Sequence, residues 1–180
     1  MLTDSPPRRN RSQFLESDRI KTLDLPANEA LREIAKNLES AMRADRISEV
    51  RKVCAEFLAS VSDFYKVPNC GITVLAARPL RVRENWSTEL FGDYRPDTKL
   101  IRLWMRTAVL KKVTSFGTFL STLCHEFCHH LDFQLFQFED SWHSQASTKE
   151  RPCYITMHGK PLPRSSSGRQ CQAAAGVLIG

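Results

Sequence analysis

The chain contains no run of about 18 apolar residues, so hydropathy predicts no membrane-spanning helix. Its first ten residues, with Pro6, Pro7, Arg8 and Arg9, have no apolar segment behind the charges that would act as a signal peptide. There is no Cys-x-x-Cys pair; Cys54, Cys70, Cys124, Cys128, Cys153 and Cys171 are scattered, unlike the dense framework of a small secreted domain. Together these absences predict a soluble cytoplasmic protein with reduced thiols and no membrane partner. No internal repeat is visible, and no acid occurs between Lys99 and Lys112, where Arg102, Arg106 and Lys111 add to the positive charge. That segment offers a weak contact for nucleic acid, but no aromatic RNA-binding motif or DNA-reading signature accompanies it, so a solvated basic face is the plainer reading.

What is present fits one globular domain: 180 residues, 42% hydrophobic and 26% charged. Residues 1–26 mix prolines with charges of both signs and read as a flexible N-terminal arm. Leu31, Ile34, Ala35, Leu38, Ala41 and Met42 recur at helical steps, with Asn28 as a plausible N-cap. Ile47, Val50, Val53, Cys54, Phe57, Leu58, Val61, Phe64 and Tyr65 form a second stripe that stops before Pro68. Two packed helices are expected. Short apolar pieces at 72–75 and 80–82 predict strands. Runs at 86–93 and 99–105 flank Tyr94-Arg95-Pro96-Asp97-Thr98 and predict a β-hairpin. Phe119, Leu120, Leu123, Phe127 and Leu131 then give a third long helix, over about 116–136. After Trp142 the pattern fades, and 144–180 reads as a poorly patterned tail, disordered or altered in reading frame.

The chemistry lies on the third helix. Residues 125–129 read His-Glu-Phe-Cys-His. Side chains four apart on a helix stand one turn above each other, so His125 and His129 can direct ring nitrogens to one point about 2.0–2.1 Å from each, the distance a zinc ion requires. Glu126, one residue along, falls beside that point and suits a general base drawing a proton from a water that the metal activates. This predicts metal-assisted hydrolysis of a peptide bond with one catalytic zinc ion and a protein or peptide substrate. A satisfied pair of core histidines is the bland alternative.

A catalytic zinc normally has three protein ligands and one open position. A metzincin would need glycine at position 132 and histidine at position 135; Asp132 and Leu135 exclude that pattern. His143 is favoured as the third ligand because the chain can double back after Glu139-Asp140-Ser141, while Glu150 and His158 remain alternatives.

The succession Gly92-Asp93-Tyr94, Ile101-Arg102-Leu103, a helix carrying His-Glu-x-x-His and a later histidine resembles the SprT-like, or Spartan-type, zinc metallopeptidases over roughly residues 50–143. The resemblance implies a zincin-like α+β domain spanning 27–143: N-terminal helices, a small twisted sheet and a long zinc helix beneath it. It also implies His125, His129 and His143 as ligands and Glu126 as base. The family continues with a small residue, an aromatic and a further helix; Ser144-Gln145-Ala146-Ser147-Thr148-Lys149-Glu150 does not. The rival from another class is a zinc-binding scaffold of weak or no activity, associated with DNA through the basic segment.

The neighbours of the motif have plainer roles. Cys124 and Cys128 are assigned to packing, as are Trp104 and Trp142; His130, one turn from Glu126, could orient it, but a solvent-facing or hydrogen-bonded structural histidine is the plainer reading. Asp132 could hold the N–H of His129 or simply face solvent. Substrate is expected to add antiparallel to a sheet edge formed by residues 99–104.

Overall fold

A computed structural model describes residues 8–17, 19, 22–25, 29–83, 86–141, 154–157 and 160–161. The apolar stripes become α2 (Glu29–Arg43) and α3 (Ile47–Tyr65), after a short α1 (Arg11–Ser17) and β1 (Thr22–Leu25). The helices α2 and α3 pack together: Leu31, Leu38 and Met42 face Val50, Cys54, Phe57, Leu58 and Val61, all buried in one core. At the end of α3, Lys66 takes left-handed backbone (φ 55°), and Val67 N–H closes on Ser62 O at 3.1 Å. This releases the chain toward the sheet.

The strands are β2 (Gly71–Ala77), β3 (Leu80–Arg83), β4 (Trp86–Glu89), β5 (Gly92–Arg95) and β6 (Leu100–Arg106). They precede α4 (Phe116–Gln134), and β7 (Tyr154–Met157) and β8 (Lys160–Pro161) follow it. The architecture is therefore mixed α+β, as expected. The main sheet has order β2-β6-β5, with β2 parallel and β5 antiparallel to β6. On β6, Ile101, Leu103 and Met105 alternate toward the helices and are fully buried, while Arg102 and Arg106 alternate away. Against that inner face lie α3, packed on β2, and α4, packed on β5 and β6.

Several expectations change. The run 86–93 is two strands, because β4 pairs with β3 while β5 pairs with β6. Residues 99–104 are not an edge: β6 is bonded on both sides, and β5 and β2 are the outer strands among the described residues. The expected arm 1–26 contains α1 and β1, and the expected tail holds β7, which pairs with β1 in parallel. Phe14 of α1 is buried against Phe138, a contact between distant positions that leaves no periodic trace in a seven-residue helix. The proposed cap Asn28 lies outside the described residues, as do Trp142 and most of the tail.

The helix α4 starts at a defined cap. Ser115 has extended backbone, and its Oγ accepts the Thr118 N–H at 3.2 Å. Ser115→Ala is expected to cost about 1 kcal/mol of stability, read as a lower denaturation midpoint with an unchanged slope.

Candidate metal centre

The middle of α4 carries residues 125–129. Its apolar side (Phe119, Leu120, Leu123, Phe127, Leu131) is buried in the core, as is Cys124, in agreement with its assignment to packing. His129 is buried, His125 is half-buried, and their rings meet edge to face with centroids 4.6 Å apart. Their Nε2 atoms are 3.1 Å apart. Two nitrogens bound to one tetrahedral zinc would sit roughly 3.3 Å apart, so the pair fits a shared ion with little adjustment. Paired imidazole nitrogens are also chemically suited to zinc.

Glu126 is 6% exposed. Burial pushes its carboxyl up to about 7; the charge of Asp93 adds to the rise and His129 opposes it. What places it there is Gly92 on β5. A Cβ at that position would come within 2.8 Å of Leu103 Cδ2 and Thr122 Cγ2 and 3.0 Å of Glu126 Cγ. The absent side chain lets β5 lie directly on α4 at the carboxylate.

His129 is also held from its far side. Its Nδ1 lies 2.6 Å from Ser141 Oγ, and the Ser141 hydroxyl donates to Asp132. The turn that returns Ser141 to the helix is fixed by Gln137 in left-handed backbone (φ 55°) and by Phe138 N–H donating to Asp132 O at 2.9 Å. From the other side, Asn10 donates to Glu139 at 2.8 Å, and Glu139 N–H donates to Gln13 at 3.1 Å.

His130 is structural. It is fully buried, with Nε2 donating to Pro68 O at 2.8 Å and Nδ1 accepting from Tyr94 Oη at 2.9 Å. Burial lowers its pKa and raises that of Tyr94 to about 12, so the ring stays neutral and the phenol keeps its proton. These bonds lash α4 to β5 and to the loop after α3.

The basic segment is less open than its sequence implies. Arg102 pairs with Asp93 across β5 and β6, and Arg106 makes two 2.8 Å bonds to Asp45. Trp104 is buried under the Arg102 guanidinium, 5.6 Å from its ring, a packing role as expected. Burial pushes the Cys54 and Cys70 thiols up to about 12, which leaves them unreactive. No helix among the described residues is long and apolar enough to cross a membrane.

The structure thus brings the His125 and His129 rings together, with Glu126 buried on the same helix. His143, Glu150 and His158 lie outside the described residues, and among the described residues no three metal-binding side chains converge. Sequence reasoning named Asp132 but missed Ser141, a serine in a polar turn with no pattern to mark it. It also missed the packing role of Gly92, which a lone glycine in a strand-like run signals weakly. The chain matches no protein family, no curated protein and no solved structure.

Proposed function

We propose that this chain is a zinc-dependent peptide hydrolase of zincin-like, SprT-like type, with Glu126 as its general base. The observation that carries the reading is the approach of two Nε2 atoms, 3.1 Å apart and one helical turn removed, on a helix that also buries the Glu126 carboxyl. A zinc ion bound there would supply the Lewis acidity that acidifies a water and polarises the scissile carbonyl. His125 and His129 would hold it, and the Glu126 carboxylate would accept the proton of the attacking water and pass it to the leaving amine. An extended peptide adds to the outer edge of β5, the strand packed over Glu126.

His143 is the third ligand in this reading. It follows Ser141 by two residues, and two residues of chain span at most about 7 Å. Since Ser141 Oγ touches the His129 ring, the chain length to residue 143 keeps its imidazole within reach of the pair. Glu150 and His158 would each need a longer return.

Elemental analysis of the purified chain, with a peptide cleavage assay in the presence and absence of chelator, tests the proposal. One zinc per chain and chelator-sensitive cleavage are expected, with zinc lost on His143→Ala and kept on Glu150→Ala and His158→Ala. Absence of both zinc and cleavage rejects the hydrolase. Zinc without cleavage, together with salt-sensitive DNA binding, favours the scaffold instead.

A further inference from the structure

We infer that Asp132 and Ser141 form an ordered proton relay that commits His129 to the tautomer with a bare Nε2, making both of them positioning residues for the metal. The inference rests on the zinc reading above, but its core is a matter of hydrogen counting. Serine has one hydroxyl proton, and an ionised carboxylate can only accept. The Ser141 hydroxyl donates to Asp132, so at its 2.6 Å contact with His129 the serine oxygen must accept. The proton therefore sits on His129 Nδ1. The neutral ring then carries its lone pair on Nε2, the atom that faces His125 Nε2 at 3.1 Å.

The direct route from imidazole to carboxylate is too long for a hydrogen bond: His129 Nδ1 and Asp132 Oδ2 are 3.8 Å apart. The serine fills that gap. Asp132 also accepts the Phe138 N–H on its backbone oxygen, so one residue holds both ends of the turn that delivers Ser141. With the His129 and Asp132 side chains only 11% and 14% exposed, solvent competes weakly for these bonds. Partners of this kind fix ring orientation and raise ligand basicity. Here the carboxylate acts through a hydroxyl that also ties down the chain leading to His143.

The test uses the full-length chain, 15N-labelled and metal-free, and then titrated with Zn2+ against a competing chelator. Long-range proton–nitrogen spectra of the metal-free protein should show His129 protonated at Nδ1. Asp132→Ala should weaken Zn2+ binding by roughly tenfold to a hundredfold and mix the tautomers. Ser141→Ala should weaken it less, because the ring can shift toward the carboxylate, and Ser141→Thr, which keeps the hydroxyl, should restore it. A wild-type His129 protonated at Nε2 overturns the relay, and that spectrum needs no variant to fold. Equal Zn2+ affinity in wild type and Asp132→Ala overturns the inference while leaving the zinc reading standing. A wild-type chain that takes up no Zn2+ overturns the zinc reading, and the inference with it.

Discussion

Glu126→Gln protein should retain its zinc and lose peptide cleavage by roughly a hundredfold to ten-thousandfold, the contribution expected of a positioned base. The substitution keeps the size and shape of a side chain that sits 6% exposed between α4 and β5, so neither the helix nor the histidine pair should move. What disappears is the ability to take a proton. Zinc analysis alongside initial rates checks the prediction: full metal with unchanged cleavage would reject Glu126 as the base, whereas lost metal would make it a ligand.

The same variant carries a stability signature in the metal-free state. Burial lifts the Glu126 carboxyl to about 7 in the folded chain, above its value when unfolded. Below the ordinary carboxylate range both states hold the proton and nothing is lost. As pH rises from that range through about 7, the unfolded chain releases its proton first, so folding stability declines. The amide has no proton to release. Denaturation midpoints of the metal-free wild type should therefore fall over this window relative to those of Glu126→Gln, and parallel pH profiles would contradict the account.

Gly92→Ala is expected to destabilise the protein by about 1–3 kcal/mol, the usual cost of overpacking a filled core, and to depress cleavage as well. Of the atoms a new methyl would meet, Leu103 belongs to a fully buried side chain on the central strand. Thr122 is β-branched, and its hydroxyl donates to Thr118 O at 2.9 Å, which pins its rotamer. Neither can step aside, so β5 must lift from α4, and the Glu126 carboxyl moves with the gap. Adding Thr122→Ser removes one obstructing methyl and should recover part of both losses. Chemical denaturation and cleavage rates of the single and double variants measure this; an undisturbed Gly92→Ala protein would show that the strand and helix are not in such close contact.

The three long helices were legible because their apolar residues repeat at steps of three and four, a signal confined to one window of sequence. The position of the His-Glu-x-x-His motif on α4 followed directly. Strand partnership was less legible. The run 86–93 is uniformly strand-like, and nothing within it reveals that Trp86–Glu89 bonds to β3 and Gly92–Arg95 to β6. Likewise, the basic alternation in 99–106 suited an exposed edge, yet Arg102 and Arg106 emerge on the outer face of a central strand and are neutralised by Asp93 and Asp45. Partners tens of residues away decide such matters. Ser141 lay beyond sequence reasoning for the same reason: only the left-handed turn at Gln137 brings its hydroxyl back to His129.

The grip of Asn10 and Gln13 on Glu139 joins positions 129 and 126 residues apart. During synthesis the opening helix must wait for nearly the whole domain to emerge before it can brace the segment beside His129. A nascent chain would therefore present the histidine pair before the segment beside it was braced.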